Sequence, residues 1–279
     1  MHVHESCYNP STMRPYIILE KPIGKTPLES VQEWKHANPE YADVPASYAG
    51  RLDPMASGKL LILLGDECKK QEEYTGLDKE YVIEVLLDLS TDTGDALGLP
   101  AYTGKAASPD TSAIDSALRS VIGRHLVPYP AFSSKTVNGK PLFLYTLEGT
   151  LDTIAIPEHE ETIYRIKLLE RSEIEKGDLA YRIDSLVSLA PRSDEPSKKL
   201  GADFRQDEIR AAWKQAFDTM PKRSFMILRL RVTCASGTYM RTLASRIATE
   251  LGTTAIALSI HRTRIGRFQR RFGFWTHWF

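Results

Sequence analysis

The chain has 279 residues, which is enough for one large domain or two ordinary ones with an ample core. Hydrophobic residues make up 42% of the chain and charged residues 26%, as in an ordinary soluble protein. No apolar run approaches the roughly 20 residues of a membrane helix, and the polar N-terminus lacks the apolar segment of a secretory leader. The cysteines are three in number and widely spaced, so we expect no disulfide framework, no zinc site and a reducing, cytoplasmic location.

Charge is unevenly distributed along the chain, although the net charge is zero. Between Thr219 and Phe279 the only acidic residue is Glu250, whereas eleven residues are basic: Lys222, Arg223, Arg229, Arg231, Arg241, Arg246, Arg262, Arg264, Arg267, Arg270 and Arg271. This excess predicts a basic surface of the kind that contacts nucleic acid. The alternative is a solvated tail with scattered arginines. A docked or stacking segment is favoured by the interleaved aromatic residues Phe268, Phe272, Phe274, Trp275 and Trp278.

The first half of the chain alternates strand-like and helical patterns. Residues 1–14 are polar and are predicted to be disordered. The patterns predict strands over 15–19 and 81–87 and helices over 28–36 and 112–122. The second helix carries its apolar residues on one face: Ile114, Leu118, Val121 and Ile122. Farther on, Asn138-Gly139 predicts a hairpin turn.

In the second half we predict strands over 162–169, 179–187 and 225–234, and helices over 207–220 and 237–251. Residues 192–208 contain proline, glycine and many charges and are predicted to form an exposed loop. These elements do not follow the regular strand–helix order of a parallel sheet. We therefore predict an α+β fold with a mixed, largely antiparallel central sheet flanked by helices.

The segment Gly50-Arg51-Leu52-Asp53-Pro54 and the following residues to Gly58 form the most informative motif. Glycines bracket a tight turn, and Pro54 fixes the backbone directly after Asp53. A carboxylate held in one direction is what a nucleophile or general base requires. Taken alone, however, Asp-Pro in a turn is usually just a turn.

Further motifs accompany this loop in a fixed order. They are Lys21-Pro22, Lys79-x-Tyr81 with Thr91-Asp92-Thr93, Gly237-x-Tyr239-x-Arg241-Thr242-Leu243, and Ile260-His261-Arg262-Thr263-Arg264-Ile265-Gly266. Together with the Asp53 loop, this set resembles the TruB-type pseudouridine synthases from about Tyr16 to Phe268. The resemblance implies the pseudouridine synthase fold, with a catalytic domain over 15–268 and a basic, aromatic tail over 269–279. Because the sequence stops at Phe279, we expect no appended RNA-binding (PUA) domain.

The resemblance also implies a reaction and its participants. A uridine in RNA would be isomerised to pseudouridine, with uridine 55 in the T-loop of tRNA as the expected position, no metal or other cofactor and no required protein partner. We expect a monomer that binds the T-arm. By resemblance, Asp53 is the nucleophile, Arg241 its ion-pair partner, and Tyr81 the aromatic residue against the extruded uracil.

Other residues receive supporting or binding roles by the same resemblance. Tyr48, Ile260, Arg262 and Arg264 are predicted to bind the substrate, and Lys21, Pro22, Gly50 and Leu52 to support the active site. Tyr48 stands where bacterial members usually have histidine, and His261 replaces an arginine. Thr136 stands where lysine is common, whereas Lys135 is one position early and would face the opposite side of a strand.

Two other classes of function remain open at this point. An RNA-binding protein that has lost catalysis would keep the basic C-terminal residues but would not need Asp53, Tyr81 and Arg241 together. Asp92-Thr93-Gly94 also resembles an aspartic-protease triplet, but such a site needs two aspartates, and the chain holds no second copy. A ribosomal or messenger RNA target is a further alternative to tRNA.

Overall fold

A computed structural model describes residues 14–104, 106–191 and 204–279 of the protein. Disorder is predicted for residues 1–14, of which 1–13 lie outside the described residues, as does most of the predicted loop 192–208. Within them, the main feature is a nine-stranded mixed sheet. Four further strands form two small sheets, β5 with β6 and β8 with β9. In chain order, the strands of all three sheets are β1 (Tyr16–Lys21), β2 (Ala46–Ala49), β3 (Ala56–Leu64), β4 (Asp78–Leu87), β5 (Leu89–Thr91), β6 (Pro100–Tyr102), β7 (Gly123–Pro128), β8 (Thr136–Val137), β9 (Lys140–Pro141), β10 (Glu158–Glu175), β11 (Ser224–Cys234), β12 (Ala255–Gln269) and β13 (Phe274–Trp278).

The main sheet has the order β1-β3-β12-β4-β11-β10-β7. In addition, β2 pairs with β3, and β13 pairs with β12. Its strand pairs are antiparallel except β3 with β12, which run parallel. The prediction of a mixed, largely antiparallel sheet is therefore confirmed. The helices are α1 (Pro27–Ala37), α2 (Gln71–Thr75), α3 (Thr111–Ser120), α4 (Leu142–Leu147), α5 (Lys176–Leu189), α6 (Gln206–Thr219) and α7 (Met240–Glu250).

Helices cover both faces of the sheet because the central strands are apolar on both sides. Along β4, Ile83, Val85 and Leu87 pack with α3 and α7 in one core cluster, whereas Leu86 packs with α5 and α6 in another. The side chains alternate because successive residues of a strand point to opposite faces. On α6 the predicted apolar stripe is buried as expected: Ile209, Trp213 and Phe217, with Met220 directly after the helix.

Residues 179–187 are helical, and the prediction of a strand there is wrong. Leu179, Ile183 and Val187 are each at most 1% exposed and lie on one face of α5. Tyr181, which an alternating strand would place beside Leu179, is 78% exposed. The spacing of four between the buried residues is that of a helix, and it overrides the alternation that suggested a strand.

The remaining elements agree with the predictions apart from their ends. Asn138 and Gly139 both have positive φ and join β8 to β9, as a two-residue hairpin turn requires. α6 begins at Gln206, so the last residues of the predicted loop 192–208 are helical. α7 begins at Met240 instead of Gly237, because Gly237 has a left-handed φ of +88°. Residues 274–278 form β13, which pairs with the end of β12.

Candidate active site

The loop around Asp53 joins β2 to β3 and has a glycine at each end. Gly50 and Gly58 have φ values of +84° and +103°, which other residues rarely adopt. A Cβ at Gly58 would lie 2.3 Å from the carbonyl oxygen of Arg262, so only glycine fits there. Between the glycines, 42% of the Asp53 side chain is exposed. The loop therefore presents one accessible carboxylate on a backbone of fixed direction.

Arg241, the second residue of α7, holds that carboxylate. Its Nε donates to Oδ2 of Asp53 at 2.8 Å, and its terminal nitrogens donate to the carbonyl oxygens of Thr93 (2.6 Å) and Phe132 (3.0 Å). Burial lowers the pKa of Arg241, but the carboxylates of Asp53 and Asp95 outweigh burial and raise that pKa above its ordinary value. The guanidinium is thus charged and held from three sides.

A second carboxylate, Asp95, also faces Arg241, with 3.8 Å between Oδ2 and Nε. Its other oxygen accepts hydrogen bonds from Oγ1 of Thr93 (2.7 Å) and the amide of Leu97 (2.9 Å). Burial raises the pKa of Asp95, and the charge of Arg241 lowers it in part. Sequence reasoning gave Asp95 no role, because its contact with Arg241 depends on a residue far along the chain.

Asp53 lies in the wall of a cavity of about 540 Å³, a size usual for ligand sites. Among the predicted residues, the cavity is lined by Tyr48, Gly50, Leu52, Asp53, Tyr81, Ile260 and Arg262. Tyr81 and Ile260 are 8% and 7% exposed, so each shows only a small apolar surface to the cavity. Burial raises the pKa of Tyr81, so its hydroxyl is protonated at neutral pH.

Lys21 holds the Asp53 loop through a hydrogen bond to the backbone. It is fully buried and donates to the carbonyl oxygens of Pro22 (2.8 Å), Lys25 (2.7 Å) and Pro54 (3.3 Å). Burial lowers the pKa of Lys21 to about 8, with the negative charge of Asp53 acting in the opposite direction. The Gly24 amide adds a bond to the Pro54 carbonyl at 2.8 Å. These contacts join Lys21 and Pro22 to the Asp53 loop, and their supporting role stays a prediction.

Arg262 and Arg264, both predicted to bind substrate, lie in different surroundings. Arg262 is 1% exposed and donates to the carbonyl oxygens of Lys59 (2.7 Å), Arg51 (3.2 Å) and Gly50 (3.2 Å). Its donors are therefore engaged by backbone carbonyl oxygens of the Asp53 loop and of β3, and its side chain also lines the cavity, so its predicted role in substrate binding stays a prediction. Arg264 does not line the cavity; its guanidinium lies 3.7 Å from Glu80 and 5.3 Å from the ring of Trp278.

Tyr48, Lys135 and Thr136 are positions at which the chain departs from the family pattern, and Lys135 precedes β8 instead of lying in a strand. Tyr48 is half-buried on β2 and lines the cavity, with the Arg51 guanidinium 6.0 Å from its ring centre. Thr136 is the exposed first residue of β8. Nζ of Lys135 lies 5.0 Å from the ring centre of Tyr129, outside the cavity lining.

Lys79 is a cavity residue whose role the sequence did not reveal. It is 4% exposed and donates to the carbonyl oxygens of Thr75 (2.7 Å) and Leu77 (2.5 Å) and to the hydroxyl of Ser236 (3.1 Å). Burial lowers its pKa to about 7, and the positive charge of Arg262 acts in the same direction. The aromatic and aliphatic part of the lining was also missed: Phe132, Phe143, Leu147 and Phe204.

Among the described residues, no group of three or more His, Cys, Asp or Glu side chains could hold a metal ion. No helix in the described part of the chain is long and apolar enough to cross a membrane. The cavity presents a carboxylate paired with a guanidinium, beside apolar side chains and the Tyr81 hydroxyl.

Residues 42–185, just over half of the chain, match the family described as TruB family pseudouridylate synthase (N terminal domain). The chain therefore belongs to the TruB family of pseudouridylate synthases. Among its curated relatives, it is similar to proteins named tRNA pseudouridine synthase B. It is 29% identical over 252 residues to that of Aromatoleum aromaticum and 27% identical over 251 residues to that of Hydrogenovibrio crunogenus. The matches cover 90% of this chain but 63% and 64% of those relatives, so the chain spans less than two thirds of their length.

A solved structure described as a Cbf5–Nop10–Gar1 complex shares the fold. One of its chains superposes with a TM-score of 0.53 at 19% sequence identity, over 90% of this chain and 48% of that chain. The superposition supports the pseudouridine synthase fold that the motif order predicted.

Proposed function

We propose that this chain converts a uridine in RNA to pseudouridine and that its target is uridine 55 in the T-loop of tRNA. The observation that carries the proposal is the ion pair between Asp53 and Arg241 in the wall of the cavity that Tyr81 and Ile260 line. The names of the relatives support tRNA as the class of substrate. We further propose that the protein acts as a monomer in the cytoplasm, without a cofactor or a protein partner.

In this reaction the N1–C1′ bond of the uridine breaks, the uracil turns within the cavity, and a C5–C1′ bond forms. C5 loses its proton and N1 gains one, so the reaction is an isomerisation and needs no oxidant or reductant. Asp53 supplies the nucleophile, at the sugar or at the base, and is released unchanged at the end. Arg241 stabilises the ionised carboxylate and fixes the direction of its attack.

The cavity excludes water from an extruded base by stacking and apolar contact. Tyr81 lies against the uracil, and Ile260 forms part of the wall behind it. Burial raises the pKa of the Tyr81 hydroxyl, which can assist the proton transfer. Tyr48, which also lines the cavity, stacks on RNA next to the target.

The first experiment maps pseudouridine in unmodified tRNA, and in an isolated T-arm stem-loop of about 17 nucleotides, after incubation with the protein. Pseudouridine at position 55 supports the proposal. Modification at another position, or only of ribosomal or messenger RNA, contradicts the choice of target. RNA binding without any pseudouridine supports the competing function of a catalytically inactive RNA-binding protein.

The second experiment replaces the nucleophile. Asp53→Asn keeps the size of the side chain but removes the carboxylate, so we expect RNA binding without pseudouridine formation. Asp66→Asn is the matched control, because Asp66 is an exposed aspartate, with 82% of its side chain accessible, outside the cavity lining. Wild-type turnover by Asp53→Asn would overturn the assigned mechanism.

A further inference from the structure

Glu161, on β10, is a buried carboxylate that the proposed chemistry does not use. Its side chain is fully buried, and it does not line the cavity. Taking a carboxylate out of water is costly unless it is paired and hydrogen-bonded. The groups that pair with Glu161 therefore show which segments of the fold its carboxylate holds in place.

Those partners belong mainly to the start of α7, the helix that carries Arg241. Oε1 of Glu161 accepts a hydrogen bond from the Tyr239 amide at 2.9 Å, and Oε2 lies 3.4 Å from a guanidinium nitrogen of Arg246. Tyr239 directly precedes the first residue of α7 and provides no side-chain cap itself. A helix N-terminus has unpaired amides and a partial positive charge, both of which a carboxylate stabilises.

A second residue of β10 binds the same turn. His159 lies two positions before Glu161, on the same side of the strand, and its Nε2 contacts both Oε1 of Glu161 and the Gly237 carbonyl at 3.2 Å. The His159 ring stacks on Tyr129, with 4.0 Å between ring centres. The turn between β11 and α7 is thus bonded at its Gly237 carbonyl and at its Tyr239 amide by one strand.

We infer that Glu161 is a positioning residue: it fixes the turn 237–239 and the first turns of α7, and so sets the Arg241 guanidinium against Asp53. This inference rests on the proposed function. Arg241 follows the Tyr239 amide by two residues, and the Nε–Oδ2 distance to Asp53 is 2.8 Å. A catalytic pair of this kind needs its geometry held within about 0.5 Å.

The variant Glu161→Gln tests the inference. Glutamine keeps the size of the side chain but has one acceptor oxygen instead of two, so either the Tyr239 amide or Arg246 loses its partner. We expect the single-turnover rate of pseudouridine formation to fall about 10- to 100-fold, as misplacement of catalytic groups does. The dissociation constant for the RNA should stay within about twofold, because Glu161 does not line the cavity.

Glu160→Gln is the matched control. It is the same substitution one residue earlier on β10, where the side chain is 51% exposed, faces the opposite side and pairs with Arg124 at 3.2 Å. Its rate should equal that of the wild type. If Glu161→Gln fails to fold, Glu161→Asp replaces it. The aspartate side chain is one methylene shorter, so it keeps the charge but lies farther from the Tyr239 amide. The same loss of rate is expected for this variant.

Rates are measured well below the melting temperature of each variant. A variant that is merely less stable regains the wild-type rate on cooling, whereas a misplaced Arg241 does not. A wild-type rate in folded Glu161→Gln or Glu161→Asp, or recovery on cooling, would overturn the inference and leave the proposed function intact. A wild-type protein that forms no pseudouridine on any RNA would overturn the proposed function, and the inference with it.

Discussion

Arginines in the middle of β12 and directly after its end lie in different surroundings. In the middle of the strand, Arg262 is buried and donates to backbone carbonyl oxygens. Directly after the strand, Arg270 is exposed, and its guanidinium lies 4.1 Å from the ring of Tyr164, which stacks on Phe268. The buried guanidinium holds backbone geometry, and the exposed one presents charge to solvent. The comparison teaches that one basic segment can supply both a buried structural contact and a charged surface.

The largest expected effect comes from the charge nearest to Asp53. Arg241→Met should lower the rate of pseudouridine formation by more than about 100-fold, as removal of a key electrostatic partner does. It also leaves Asp95, which is 6% exposed, without its cation, so the protein should be less stable. Adding Asp95→Asn should restore stability but not activity. Single-turnover kinetics and urea unfolding measure the two effects, and recovery of activity in the double variant would contradict the assigned role.

The next largest effect is a difference in stability between variants of Arg262 and Arg264. Arg262→Met removes the donor of three buried carbonyl bonds and should lower the free energy of unfolding by about 1–3 kcal/mol. Arg264→Met changes a half-exposed side chain and should cost less than about 0.5 kcal/mol. Urea unfolding of both variants measures the difference. Equal losses would show that the two arginines do not differ in the way described.

The pH dependence of stability tests Lys79, a buried residue of β4. The pKa of Lys79 is about 7 in the folded protein, against its ordinary 10.5. Between these values the unfolded chain binds a proton that the folded chain does not, so the free energy of unfolding should rise with pH. One such group contributes at most about 1.4 kcal/mol per pH unit.

Lys79→Met should therefore flatten the rise in the free energy of unfolding between pH 7 and 9. Lys69→Met is the control, because 81% of the Lys69 side chain is exposed. Urea unfolding at several pH values provides the slopes. Parallel slopes for the wild type and Lys79→Met would contradict the lowered pKa.

The smallest effect is expected at the exposed end of β12. Charge reversal at Arg267 and Arg270 should weaken RNA binding and reduce the slope of log affinity against log salt by about one per lost phosphate contact. The rate of the bound complex should not change, because neither residue lines the cavity. Binding titrations at several salt concentrations test this. An unchanged slope would place the RNA on another surface.

Sequence motifs carried most of the information about the candidate site. The structure places Asp53, Tyr81, Arg241 and Ile260 around one cavity or in direct contact with it, although their roles stay predictions. The contacts of Asp95 with Arg241 and of Glu161 with Tyr239 could not be predicted, because the partners are far apart along the chain. Lys79 stood in a motif, but its burial was not predicted. The different burial of Arg262 and Arg264 could not be predicted either, because it depends on a register shift between β12 and β4 that the amino-acid sequence does not reveal.

The fold class was predictable for a different reason. The apolar residues of β11 alternate with the period of a strand, and those of α6 have the spacing of a helix. Neither pattern fits the other type of element, so the predicted type was right. Residues 179–187 fit both periods, and only packing against the sheet decides between them. Element ends were less predictable, because positive backbone angles at Gly237 and Arg205 determine where α7 and α6 begin.

The bonds that fix the Asp53 loop span very large separations along the chain. Asp53 and Arg241 are 188 residues apart, and Gly50 and Arg262 are 212 apart. During synthesis, the loop leaves the ribosome long before the arginines that hold it, at about 5–20 residues per second. A nascent chain can form the local pairing of β2 with β3 early, but the Asp53 carboxylate gains its counter-charge only after β11 and α7 have emerged. The Asp53–Arg241 pair is therefore completed after translation of the loop has ended, by a part of the chain made much later.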